Sequence, residues 1–402
     1  MVRAARRPPV ANIREGIRVT LPNDDHHESP SPLSEPLFEP AAPRPPRPRR
    51  VVAGWISLAV AFVILGVLAL SPTPYVVQVP GPVFNVLSTT KTDDGTQPLI
   101  DIEGAKTYDV SKTLDMLTVS VVGTPDRSPS WFQIAVAWFD PSQAVVPMST
   151  YFPDGTTVKE QDEESQLMMV NSQQDAVAAA LTQLDIPFDS ALTVGNVIAD
   201  TPADGELQVG DEITAAGGAP VGDVTQLRDV IAKNGEKPLT LTVLRDGASA
   251  TVSVTPTKAT YSDGTSGFVI GIQTTETYDF PFHVAIKLDD VGGPSAGMMF
   301  ALGIIDKLTP GALAGDAAVA GTGTIDAEGD VGPIGGIRQK LYGARDAGAD
   351  YFLAPADNCG EVVGHVPDGI RVFSVKTLDD SLAVLHALAD DGDLDALPSC
   401  KS

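Results

Sequence analysis

The run "VVAGWISLAVAFVILGVLAL", residues 51–70, holds twenty consecutive residues without a charge. As a helix, that length matches the hydrocarbon core of a bilayer, about 30 Å thick. A core helix seldom runs so far without a polar face. A signal peptide does not normally follow fifty residues of preamble, although cleavage near Ala69 is an alternative fate for the same run. "RPRR" (47–50) abuts the N-terminal side, and no charge follows the run for twenty residues. The positive-inside rule therefore predicts residues 1–50 in the cytoplasm and residues 71–402 across the membrane.

The two sides of the run differ in character. Residues 1–50 carry nine Arg against six acidic residues, no Lys and many Pro; such a segment cannot bury enough apolar surface to order itself and is expected to be disordered. Beyond position 50 stand 18 basic and 46 acidic residues. A body this acidic repels phosphate backbones, which excludes nucleic acid as a partner. Its two cysteines, Cys359 and Cys400, both fall on the exported, oxidising side and are expected to pair. A bridge between them closes a loop of about forty residues, worth roughly 4 kcal/mol in the chain-entropy account. The chain has no CxxC or Cys/His spacing for a metal and no GxxxxGK[ST] for a nucleotide, so neither metal nor cofactor is expected.

Along the exported part, "PLIDIEG", "DMLTVSVVG" and "WFQIAVAWF" read as strands between turn-rich segments, the last one buried, with docking on the membrane surface as its alternative. "NSQQDAVAAALTQLDIPF" reads as a helix capped by Ser172, with Ala176, Ala180 and Leu184 on one face, stopped by Pro187. Residues 191–257 give a strand, a hairpin, a helix opening at Asp223 and ending before Gly235, and a second hairpin turned at Asp246-Gly247. This block, with "TPADGELQVGDEI" at its centre, resembles a bacterial PDZ domain. The resemblance implies binding of extended peptides beside that helix. The carboxylate-gripping loop of PDZ domains is not recognisable ahead of Ala191. From 268 onward strands alternate with helices at 296–308, 337–347 and 378–389, an α/β pattern in which "FVIGIQT" and "FHVAIKL" are the first strands.

Ser295 stands in "GGPSAG" at the mouth of the first of those helices. GxSxG is the nucleophile elbow of α/β-hydrolases, which would then need His365 or His386; one lies in an ordinary loop and the other in a helix, and no HGGG-type motif accompanies them. The other base is a lysine. In "GPIGGIRQKLYGARDAGAD" (332–350), Ile337, Leu341 and Ala344 form an apolar stripe and Lys340 borders it, whereas Arg338, Gln339 and Arg345 point elsewhere. A lysine on an inward face is penalised when charged, so its pKa falls and the neutral amine can act as a base; a lysine that snorkels its head into water is the alternative, and on helix geometry alone the commoner one.

"GPSAG" followed by "GPIGGIRQK" closely resembles the Lon family's proteolytic domain. The resemblance places the catalytic serine on Ser295, the catalytic lysine on Lys340 and a supporting threonine on Thr322, in "TGTI". One departure concerns the acidic residue that commonly precedes GPSAG: here Gly292 and Gly293 stand there and Asp290 is displaced. "MMVNSQQDAVAAAL" resembles the segment leading to the catalytic strand of Lon-type domains, so the PDZ-like block is expected as an insertion. The chain as a whole is similar to membrane-anchored, PDZ-containing Lon-like proteases.

The expected organisation is a disordered cytoplasmic tail (1–50), a transmembrane helix (51–71), a β-rich N-terminal part of the protease region (72–190), a PDZ-like domain (191–258), a Lon-type proteolytic domain (260–392) and a C-terminal tail (393–402). The fold class is multidomain α+β and α/β. The expected activity is ATP-independent endopeptidase action on protein or peptide substrates. An α/β-hydrolase-like esterase and a catalytically inactive peptide-binding adaptor are the alternatives. The resemblance also implies self-assembly, with a hexameric ring as the family's analogy.

Overall fold

The computed structural model describes residues 49–92, 95–153, 155–260, 266–288 and 291–401. Apart from Arg49 and Arg50, the tail expected to be disordered lies outside the described residues. Helix α1 (Arg49–Leu70) spans the charge-free run. At 1.5 Å per residue it is about 33 Å long. Its apolar side chains, Trp55, Phe62 and Leu65 among them, face outward and not into a protein core.

Residues 131–137 are not a buried strand but helix α2 (Trp131–Ala137). Ser130 Oγ accepts from the Gln133 amide and Gln133 Oε1 accepts from the Ser130 amide. This reciprocal cap fixes the first turn and outweighs the strand propensity of the aromatic residues. Helix α3 (Val158–Gln183) begins fourteen residues before Ser172, at an N-cap on Thr157 whose capping box is closed by Glu160. Ser172 is therefore a buried mid-helix residue and caps nothing.

The chain then enters a sheet ordered Ala248–Val254, Leu239–Arg245, Glu212–Ala216, Asp189–Val197 and Ile272–Asp279. Helix α4 (Val224–Asn234), capped by Asp223, covers it with Leu227 and Ile231. The strand containing Ile272, expected to open the following α/β region, is instead an edge of this sheet. It pairs antiparallel with Asp189–Val197 from Ile272↔Val197 to Asp279↔Asp189. Entry to and exit from the block are thus register partners on adjacent strands.

A second six-stranded sheet runs Arg371–Val375, Tyr351–Pro355, Ala318–Gly321, Thr113–Val122, Tyr75–Asn85, Ala144–Pro147. Its first four strands are mutually parallel and the last two pairings antiparallel, so Tyr75–Asn85 alone runs against the rest. Side chains alternate between two cores, as the pleat requires. Met116, Val319 and Leu353 face α5 (Gly297–Leu308), while Leu117, Ala320 and Phe352 face α6 (Ile337–Ala347). Helix α5 is buried on every side from Gly297 to Asp306, sheltered by α3 and, beyond the short α7 (Cys359–Val362), by α8 (Leu378–Ala389).

Helix α3 also meets the first sheet. Tyr278 Oη donates to Asp175 Oδ1 (3.2 Å) and to Glu276 Oε2. Burial, with the nearby Glu276 and Asp326 carboxylates, pushes Asp175 up to about 7, while the Tyr278 bond opposes that rise. An unfolded Asp ionises near 4, so between about pH 4 and 7 the folded chain holds the extra proton and stability falls as pH rises. Asp175→Asn is therefore expected to raise the unfolding temperature, by the equivalent of about 1 kcal/mol at about pH 8 and by less at about pH 5. Thermal denaturation at the two pH values checks this, and an equal effect at both would contradict it.

Candidate active site

The parallel strand Ala318–Gly321 ends between the two helical layers, and its carboxyl end is where α5 and α6 come within reach of each other. Crevices of this kind are where open α/β sheets place their ligands. Thr322, the next residue, is buried beside both helices.

The segment before α5 is held from α3. Gly293, at φ +85°, donates its N–H to Ser165 O (2.8 Å), and Ser172 Oγ donates to Pro294 O (2.9 Å). A Cβ at Gly297 would stand 2.8 Å from Ser172 Oγ and 2.9 Å from Ile325 Cγ2, so the helix can start here only with glycine. Ser295 lies between these anchors. Its carbonyl accepts from Thr322 Oγ1 (2.8 Å) and from the Gly323 amide (3.0 Å). Among the described residues the Ser295 and Ala296 amides donate to no backbone carbonyl, whereas those of Gly293, Gly297 and Met298 are occupied. Asp290, the displaced acid, lies outside the described residues.

Lys340 comes from the first turn of α6, which opens at Gly336 in the left-handed region. Ile337, Leu341 and Ala344 are buried, and Lys340 is only 2 % exposed. Gln339, expected to point elsewhere, is buried as well. Lys340 Nζ donates to Ser295 Oγ (2.7 Å) and to Thr322 Oγ1 (2.8 Å). Removal of the ammonium from water lowers the pKa to about 7. No carboxylate among the described residues offsets that loss. The three residues singled out in the sequence thus meet in one hydrogen-bonded cluster at a cleft of about 690 Å³. Pro82, Thr118, Tyr151 and Met168 also line it.

Residues 222–388 match the family described as Lon protease (S16) C-terminal proteolytic domain. The chain carries a Lon-type proteolytic domain. Residues 155–255 match the PDZ domain family, so a PDZ domain accompanies it. Relatives include Lon protease of Geobacter metallireducens, 31% identical over 180 residues, and Lon protease 1 of Bacillus subtilis, 32% identical over 197. These alignments cover 43% and 47% of this chain but only 21% and 24% of the relatives. The chain thus spans about a quarter or less of the curated relatives it matches. Among solved structures, the PDZ domain of the SdrC-like protein from Listeria innocua aligns at 24% identity with a TM-score of 0.19. It covers 21% of this chain and 92% of that one.

Beside the Lon-type site, His365 Nδ1 lies 3.2 Å from Val363 O and His386 is exposed on α8. Neither hydrogen-bonds Ser295 in the described residues. Cys359, at the start of α7, is bonded to Cys400, with Cα atoms 5.0 Å apart. In the PDZ domain, an apolar cleft lies along α4, lined by Val224, Leu227, Ile231, Phe268 and Ile272. Ser165, Ser172 and Gly323 are the site-supporting residues that sequence reading missed. A serine on the inward face of a helix carries no local signal of the loop it holds.

The buried amine also has a thermodynamic signature. An unfolded lysine stays protonated to about pH 10, whereas the folded Lys340 releases its proton near 7. In that window the unfolded chain binds more protons, so stability rises with pH, and below about 7 the full deficit applies. Lys340→Met is therefore expected to unfold later than the wild type. The gain should be on the order of 1 kcal/mol or more at about pH 7 and shrink towards about pH 10. A pH series of thermal melts decides it.

Proposed function

We propose that the exported body is a serine endopeptidase that works through an acyl-Ser295 intermediate, with Lys340 as its general base and acid. The observation that carries this reading is the 2.7 Å contact between Ser295 Oγ and a fully buried amine. The Thr322 hydroxyl gives its own proton to the Ser295 carbonyl and accepts one from Lys340. A neutral amine held so keeps its lone pair for the serine. As Oγ attacks the substrate carbonyl carbon, Nζ takes the hydroxyl proton; the resulting ammonium then protonates the departing amine as the C–N bond breaks. Water repeats the sequence on the ester and restores Ser295. The amides of Ser295 and Ala296, at the positive end of the α5 dipole, are placed for the developing oxyanion.

Substrate enters as an extended strand. Thr113–Val122 pairs with Ala318–Gly321 only from Thr113 to Met116, and the chain turns away at Thr322. The edge beyond Met116 opens beside the dyad, and Thr118 to Ser120 line the cleft there. The PDZ domain, inserted between register partners Asp189 and Asp279, selects protein substrates through the cleft beside α4. The chain contains no phosphate-binding GxxxxGK[ST], so turnover by this polypeptide needs no ATP. Helix α1 anchors it with the tail in the cytoplasm and the catalytic body outside. The esterase reading lacks its histidine. The adaptor reading would leave a destabilising buried lysine with nothing to do.

Ser295→Ala, Lys340→Ala and Lys340→Arg are each expected to lower peptide turnover on the order of 10³-fold or more, the last because a guanidinium stays protonated. His365→Ala and His386→Ala should leave it within about twofold. Turnover should rise with pH through about 7 as Lys340 loses its proton, in ATP-free buffer. An essential histidine with a dispensable Lys340 would return the site to the hydrolase reading. Replacing residues 191–277 by a short linker, which joins neighbouring strands, should preserve cleavage of small peptides and impair that of folded proteins. Kinetics on both substrate types measure the split.

A further inference from the structure

Helix α2 leaves much of its apolar surface uncovered. Ile134 and Ala137 pack against Val77 and Tyr75, and the Trp131 ring meets Tyr75 edge-on. On the outer side, Phe132 is 63% exposed, Val136 52%, Trp138 68% and Phe139 90%. Phe132 and Val136, at i, i+4 spacing, share one face of the helix, and Trp138 and Phe139 follow in the turn after it. Beneath Phe132 and Val136 lies an apolar cleft that also takes in Val79, Val122 and Pro129. Three large aromatic side chains this exposed on so short a segment mark a contact surface.

The chain path indicates what covers it. Leu70 ends α1, and two residues later Pro72 pairs with Ser130, the N-cap of α2; Thr73 also donates its N–H to Pro129 O (3.0 Å). Two residues span at most about 7 Å. The start of α2 is therefore tied within about 10 Å of the end of the apolar span, the depth at which Trp side chains settle at a bilayer surface. Charges beside the patch are mixed, Asp126, Arg127 and Asp140, within a strongly acidic body. Such a surface gains nothing from anionic headgroups, so its contact is apolar and independent of lipid charge.

We propose that α2 and the turn after it insert Phe132, Trp138 and Phe139 into the interfacial layer of the same bilayer that α1 crosses. The proposal rests on the reading of α1 as a membrane span. The docked surface holds the catalytic cleft at a set height. Strand Tyr75–Asn85 runs from Val77 and Val79 at the patch to Pro82 and Phe84 at the cleft, roughly 15–20 Å away. A cleft at that height favours exported substrate segments close to the membrane surface.

Bromine-labelled lipid tests the contact with the full chain in phosphatidylcholine vesicles, because the only tryptophans are Trp55 in α1 and Trp131 and Trp138 in the patch. In Trp55→Phe protein, lipid brominated near the headgroup end of the acyl chains should quench emission roughly twofold relative to unlabelled lipid, at low and high salt alike. Adding Phe132→Ser and Phe139→Ser should abolish most of that quenching. In Trp131→Phe/Trp138→Phe protein, bromine deep in the chains should quench Trp55. Quenched Trp55 with unquenched Trp131 and Trp138 would overturn the docking alone and leave the span intact; the patch would then be covered by a second copy or a protein partner. Unquenched Trp55 would remove the span and this proposal with it. Quenching that survives the two serine substitutions would also overturn it.

Discussion

Among the described residues the amine of Lys340 has no carboxylate partner, it meets almost no solvent, and the surrounding body is arranged around that fact. A buried ammonium is costly, so the environment favours the neutral form near pH 7. Two hydroxyls are its partners, Ser295 Oγ and Thr322 Oγ1. Hydroxyls can accept from the amine or donate to it and therefore tolerate either protonation state. A carboxylate at the same distance would lock the lysine charged and end its use as a base. The chemistry depends as much on what is kept away from Lys340 as on what touches it.

That arrangement requires a rigid meeting point of two layers. Helices α5 and α6 pack on opposite faces of one sheet, so Ser295 and Lys340 can touch only beyond the end of a strand between them. Ala318–Gly321 is that strand, and its brevity brings Thr322 to the crossing. The serine's backbone is fixed from both sides: Thr322 and Gly323 hold its carbonyl, and Ser172 holds the carbonyl just before it. A nucleophile anchored through neighbouring carbonyls keeps its own amide available for an oxyanion.

Much of this was legible because two short segments carry both the chemistry and the packing. "GPSAG" and "GPIGGIRQK" announce glycine-dependent turns, and the stripe Ile337, Leu341, Ala344 places Lys340 at a buried edge. The failures have physical causes. Aromatic and β-branched residues at 131–139 favour a strand, yet one Ser–Gln cap decided for helix. "VKEQDEESQ" lacks an apolar face, so the early start of α3 is hidden in the pattern, which puts a cap at Ser172 instead. The strand at Ile272 alternates cleanly, but alternation reveals which face is buried, not which sheet the strand joins. Gln339 looked solvent-facing on helix geometry, and its burial depends on the tertiary setting of α6.

The acidity of the body, first a reason to exclude nucleic acid, gains a second meaning at the seam between α3 and the PDZ sheet. Asp175 and Glu276 gather there around Tyr278, and Asp223 and Asp326 stand close to Glu328; burial pushes Asp175 and Glu328 up. Asp175 gives up its proton near 7, the same range in which Lys340 becomes neutral. The two titrations act in opposite senses. Rising pH frees the lysine lone pair while it adds like charge to the seam beside α4, whose first amide is held by Glu276. On the proposed function, chemistry at Ser295 and the seating of the PDZ domain therefore favour opposite ends of one narrow pH range, and a small peptide that bypasses the PDZ domain feels only the first.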